Sequence, residues 1–259
     1  MSGAKSASGA ARQRRAERRQ ATYDEMLSLA RDALREGRPV SLRAIAAEMG
    51  MTAPALYRYV DSHAALQEAL SASILDDVLV RVQEAASAWP AQRHGHRLVA
   101  SLVAFRNWAL DRPEEFRLVF GRPRDRQGSS LPMPGQVPIA VSFVCHFVGA
   151  VADLHRAGTF AAAPVEQVPE RAVASLKRLA EMCSEQGRPI EAPVGLWWRA
   201  VTYWVMLCGV VRMEVDGVPG TALVADGAMF WEAVGVCGEA AGVPAESLAN
   251  ARADIAAAA

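Results

Sequence analysis

Two phenols and a guanidinium stand together at Tyr57-Arg58-Tyr59, on a short stretch that reads as a helix surface. Such groups hold phosphate oxygens by hydrogen bonds, and an arginine can also read the edge of a guanine. Arg43 lies just upstream, and residues 1–20 carry Lys5, Arg12, Arg14, Arg15, Arg18 and Arg19 against the single acid Glu17. The whole chain has 28 basic and 28 acidic residues and no net charge, so the remainder carries the compensating acid. Cations gathered beside one exposed aromatic helix, in an otherwise balanced chain, suit contact with a polyanion.

These side chains need elements to position them. The run Val40 to Val60, VSLRAIAAEMGMTAPALYRYV, predicts two short helices joined by a tight turn. Ser41 can cap the first, whose apolar face is Leu42, Ile45, Ala46 and Met49. Gly50 lets the chain turn at positive φ, Met51 is expected in the core, and Thr52 is expected to cap the second helix. Pro54 fits that helix's first turn, where a missing N–H costs nothing. Leu56 and Val60 anchor it, which leaves Thr52, Ala53, Ala55, Tyr57, Arg58 and Tyr59 facing outward. A preceding helix from about Tyr23 to Arg35 carries Met26, Leu27, Ala30, Ala33 and Leu34. The expected core of this head is Leu27, Leu34, Leu42, Ile45, Met49, Leu56 and Val60. Residues 1–20 are expected as a disordered basic arm, whose Arg15, Arg18 and Arg19 reach DNA beside the motif.

Across Ser41 to Leu70, the segments LRAIAAEMG, APALYRYV and SHAALQEAL resemble the DNA-binding domain of the TetR family of bacterial one-component regulators. The resemblance implies a helix-turn-helix head over residues 21–67 that contacts double-stranded operator DNA. Its contacts would be Ser41, Arg43, Thr52, Ala53, Ala55, Tyr57, Arg58, Tyr59 and His63. Two positions depart from the family: Ala55 stands where Thr or Ser is usual, and His63 where Lys is usual. Ala55 limits readout to methyl contact, as with thymine, and His63 is only a part-time cation near neutral pH.

Beyond the head every segment reads as helix, so the fold class expected is all-α. A long helix at about 62–88, with Leu66, Leu70, Ile74, Val78 and Val82, links the head to a domain spanning 68–245. Further helices are expected at 96–111, from Pro113, at 138–157, 166–186, 194–215 and 221–241, with a long polar loop at 121–136. Residues 246–259 are expected as a flexible tail. The last helix pair carries more apolar residues than one face needs. Trp197, Val201, Phe230, Val234 and Cys237 are therefore the candidate interface of a homodimer. WVMLCGVVRMEVDG and DRPEEFRLVFG resemble the C-terminal domain of TetR regulators named for a Trp-His-Gly signature, with Trp204 and Gly209 in place and Cys208 replacing the histidine. That resemblance implies a ligand pocket. Its candidate lining is Phe105, Trp108, Phe143, His146, Phe147, Trp204 and Cys208, which points to a small apolar effector. His146 is the polar group of its apolar run, satisfied either by a backbone carbonyl or by a ligand.

No nucleophile elbow, P-loop, GxGxxG or HExxH pattern occurs, and His94 and His96 lack neighbours that would complete a metal site. An enzyme, a metal and a cofactor are accordingly not expected. The cysteines, Cys145, Cys183, Cys208 and Cys237, are scattered and read as free buried thiols of a reducing cytosol. No leader is visible, and the apolar window Val137 to Ala152 is too short to span a bilayer. The sequence therefore reads as a cytoplasmic, homodimeric repressor released from a palindromic operator by its effector. The alternatives are an activator, a DNA binder without effector, a redox-sensing regulator acting through Cys208 or Cys145, or an enzyme.

Overall fold

The computed structural model describes residues 3–120, 137–217 and 226–258, side chains of 3–11 and 137–140 excepted. The expected loop at 121–136 and the start of the last helix at 221 lie outside the described residues. Every regular element among the described residues is helical. The chain separates into two compact units, Met1–Ile74 and Leu75–Ala259.

The first unit holds α1 (Gly3–Arg35), α2 (Leu42–Glu48), α3 (Ala53–Leu56) and the first half of α4 (His63–Ser87). The expected disordered arm is instead continuous with α1, which begins at Gly3. The physical reason is legible afterwards: no glycine or proline falls between Gly9 and Gly37, and Ala, Arg, Gln and Glu are strong helix formers. Gln13 with Glu17, and Gln20 with Asp24, bridge successive turns. The stripe that α1 buries is Met26, Ala30 and Ala33, while Leu27 and Leu34 are half-buried or better. Leu42, Ile45, Ala46, Leu56, Val60, Leu66 and Leu70 complete this core. Met49 and Met51, both expected inside, are only half-buried.

In the second unit α4 continues with Val78, Val82 and Ala86 buried. It is followed by α5 (His94–Asp111), α6 (Pro113–Phe120), α7 (Val137–Arg156), a short 3₁₀ turn (Val165–Gln167), α8 (Glu170–Glu185), α9 (Val194–Asp216), α10 (Ala228–Ala240) and α11 (Ala245–Ala258). The expected flexible tail is this last helix. Pro244 precedes it, Ala251 is fully buried, and Asp254 meets Arg93 and His96 at 3.0 Å each. At Gly195 the loop after α7 crosses the start of α9 so closely that an added Cβ would lie 1.9 Å from the Ala163 carbonyl oxygen. Only glycine permits that crossing. The guanidinium of Arg106 on α5 grips the buried Glu214 of α9 with two hydrogen bonds, of 2.6 and 3.2 Å. By length and composition α9 could cross a membrane, but its Leu196, Trp197, Ala200, Leu207 and Val211 are buried in this core.

The cysteines differ from expectation. Cys145 of α7 and Cys183 of α8 form a disulfide, with Cα atoms 6.0 Å apart, while Cys208 and Cys237 are free. The 38-residue separation of the bonded pair hid the partnership in sequence, because neither lies in a short-spaced pair.

Candidate nucleic-acid interface and ligand cavities

The turn between α2 and α3 is built as its residues dictate. The amide of Ala44 donates to Ser41 Oγ at 3.2 Å, capping α2, and Gly50 sits at φ +65°. Thr52 adopts extended backbone but makes no side-chain cap. Its carbonyl instead accepts from the amides of Ala55 and Leu56. The expected helix through Tyr59 is shorter: α3 ends at Leu56, and residues 57–59 form a turn held by Tyr57 N–H to the Ala53 carbonyl and Tyr59 N–H to that of Leu56.

The structure brings most predicted DNA residues together on this unit. Arg43, Thr52, Tyr57 and Arg58 are exposed, with Tyr57 at 49% standing out as a large ring in water. Ala53, Ala55 and Tyr59 are half-buried. Arg15, Arg18 and Arg19 are exposed on α1. Arg19 does more than carry charge. Its Nη2 donates to the Arg58 carbonyl at 3.2 Å, and its guanidinium lies 5.7 Å from the Tyr59 ring centre, a cation–π distance. It thereby clamps the turn that presents Tyr57 and Arg58. His63 Nε2 donates to the Val40 carbonyl at 2.8 Å, fixing the approach to α2, and Ser62 caps α4 through the Ala65 amide. The Arg19 and His63 tethers were invisible in sequence because they join residues 39 and 23 positions apart.

In the second unit the structure brings five of the predicted ligand residues, Phe105, Trp108, Phe143, Phe147 and Trp204, into one continuous aromatic cluster, with the Trp204 ring centre 4.9 Å from that of Phe105 and 5.3 Å from that of Phe143. Phe116 and Phe120 extend the same cluster around Phe105, Trp108 and Phe143, with ring centres 5.3–6.3 Å apart. Such spacing is ordinary aromatic packing. Trp108 Nε1 is buried there with no acceptor among the described residues. Phe147 and Trp204 stack at 4.4 Å and line an apolar cavity of about 70 Å³, together with Leu102, Tyr203, Leu207 and Val234. His146 belongs to a different cavity, of about 260 Å³, lined also by His94, Arg97, Asp153 and Arg188. Cys208 lines neither and is half-buried.

Burial, reinforced by the positive charges of Arg188 and Arg97, lowers the His146 pKa to about 4. The ring is therefore neutral at pH 7. Ser101 Oγ lies 3.1 Å from His146 Nε2 and within 3.1 Å of the carbonyls of Val82 and Arg97. A hydroxyl has one proton: given to a carbonyl, it leaves His146 donating through Nε2, and given to Nε2, it makes the imidazole the acceptor. Burial also pushes the Cys208 thiol up and the Cys237 thiol to about 11, so neither is a ready thiolate.

The candidate interface residues need correction. Trp197, Phe230, Val234 and Cys237 are buried within the chain itself, and Val201 is half-buried. The surplus apolar surface of the same helices is their other side: Val205, Met206 and Met213 on α9, and Met229 and Val236 on α10.

An all-α chain with a short helix pair presenting Tyr57 and Arg58, joined to a larger helical unit with cavities, has the architecture of a helix-turn-helix transcriptional regulator. The family described as "Tetracyclin repressor-like, C-terminal domain" matches residues 98–235. HTH-type transcriptional regulator Rv1816 of Mycobacterium tuberculosis is 26% identical over 194 residues, covering 75% of this chain and 80% of the relative. HTH-type transcriptional regulator Mb1846 of Mycobacterium bovis matches to the same extent. A crystal structure described as that of a regulatory protein, SCO4313, superposes with a TM-score of 0.62 at 25% identity, covering 85% of this chain and 97% of the other. The chain belongs to the tetracycline repressor-like family of transcriptional regulators.

Proposed function

We propose that the protein is a cytoplasmic repressor that binds a palindromic DNA operator as a homodimer and leaves it when a small apolar ligand binds. One observation carries the DNA reading: the capped α2, the Gly50 turn and α3 present Tyr57 and Arg58 to solvent, with Arg19 bracing them from α1. Arg43 and Tyr57 would hold phosphates. Arg58, Ala53 and Ala55 would lie nearest the base edges, with the half-buried Ala55 offering only its methyl. Two copies would place their heads in major grooves about one helical turn apart, roughly 34–36 Å.

The apolar cavity behind Phe147 and Trp204 supports the ligand reading by its chemistry, since its lining is almost wholly carbon. Its volume of about 70 Å³ is well below the roughly 300–1,000 Å³ of drug-sized pockets, so an effector must open it. Opening costs free energy, and the ligand acts only if it prefers the opened arrangement. Because α4 belongs to both units, a change in its packing in the second acts on an element of the first.

Tyr57→Ala is the test of the DNA reading. It should weaken operator binding by about 1–3 kcal/mol in an electrophoretic shift assay while leaving the melting temperature unchanged. Unchanged affinity would remove Tyr57 from the interface.

A further inference from the structure

The cavity beside His146 has a composition that the apolar effector does not explain. Arg97 comes from α5 and Arg188 from the turn after α8, and both line it. Neither guanidinium pairs with a carboxylate among the described residues. Arg97 Nη1 donates to the Trp89 carbonyl at 2.9 Å. Both Nη atoms of Arg188 lie 3.2 Å from the Gln83 amide oxygen, once that amide is turned to accept. These acceptors are neutral and use only part of the five N–H donors of each guanidinium. Asp153 also lines the wall, but its carboxylate is ion-paired with Arg156.

Other features agree. His94 is the first residue of α5 and lines the same cavity, and the preceding Arg93 gives that helix no side-chain cap. A helix start with unsatisfied amides favours an anion nearby. The remaining wall includes Ala86, Gly149, Ala150, Pro189 and Ile190, which offers carbon surface. At about 260 Å³ the space exceeds what a single small ion needs. The disulfide ties α8 to α7 at Cys183, shortly before Arg188, so it fixes the base of the turn that carries this arginine.

We propose that this cavity binds a small organic carboxylate, its charge held by Arg97 and Arg188 and its carbon body lying on Ala86, Ala150 and Ile190. The site is distinct from the apolar cavity of Phe147 and Trp204, and it stands or falls separately from the DNA reading.

The test is calorimetric titration of the full chain, at constant ionic strength, with hexanoate, hexanol and inorganic phosphate. Hexanoate should bind saturably at one site per chain, at least about tenfold more tightly than either comparison compound. Arg188 is exposed, so Arg188→Gln should fold normally, and it should weaken hexanoate at least about tenfold. Arg188→Lys should recover part of that loss, because a point charge cannot replace the fork. Bound hexanoate should also raise the His146 pKa, read from its imidazole proton shifts, by offsetting the two guanidinium charges. No saturable binding, hexanol binding as tightly as hexanoate, phosphate binding as tightly as hexanoate, or an unaltered affinity in Arg188→Gln would each overturn the proposal.

Discussion

His146 shows how much a single side chain can owe to its surroundings. Its pKa falls from 6.5 to about 4, first through burial and then through Arg188 and Arg97. A histidine that is harder to protonate when folded than when unfolded binds fewer protons in the native state between those two values. Stability is therefore full above about pH 6.5 and is lost as the pH falls toward 4, by on the order of 3 kcal/mol. Denaturant unfolding of the wild type at about pH 7 and about pH 4.5 should show this loss, and His146→Gln should show a smaller one. Equal pH dependence in the two would mean that the imidazole is not held neutral. For single residues the sequence was legible at several local positions: Ser41, Gly50 and Pro54 do what their types require. It was not legible for Arg97 and Arg188, which only the fold brings to one cavity. Thr52 failed as a cap because its carbonyl, not its hydroxyl, meets the amides of α3.

Among the elements, α1 departs furthest from expectation. The cations expected on a loose arm lie instead within the span of one helix, the last of them, Arg19, clamping the Arg58 turn. A helix holds its charges in a fixed arrangement, which orders phosphate contacts without the entropy cost of ordering an arm. Replacing Arg14, Arg15 and Arg18 together by Gln keeps the helix formers and removes three cations. The log–log salt slope of operator binding should become shallower by up to about 0.9 for each phosphate that is no longer neutralised. An identical slope would show that this face of α1 meets only solvent. The spacing that revealed α2 and α4 could not set the start of α1, because its polar half has no apolar stripe to count. The Cys145–Cys183 link was likewise out of reach, since helical periodicity reports faces and not partners.

At the level of assembly, the proposed pairing of α9 and α10 with a second copy needs other side chains than those expected. Trp197, Phe230 and Val234 are used within the chain, whereas Val205 is 62% exposed and Val236 48%. Composition alone cannot tell which side of an apolar helix pair the chain itself will cover. Val205→Asp should therefore leave a folded protein with an unchanged helical spectrum. Its self-association, followed by sedimentation, should weaken by at least about 100-fold, or roughly 2.7 kcal/mol, because a carboxylate would have to be desolvated. Wild-type-like assembly in that variant would put the dimer interface elsewhere.

Everything proposed for the assembled protein turns on two copies of the α2–α3 head reading one twofold-symmetric DNA sequence. Selection of binding sites from random duplex DNA by the full chain, followed by sequencing, puts this to the test. The selected sites should converge on an inverted repeat whose half-sites are centred about one helical turn apart, and Arg58→Ala should relax the preference at one position in each half. Selected sequences with no inverted repeat, or a preference that Arg58→Ala leaves intact, would contradict it.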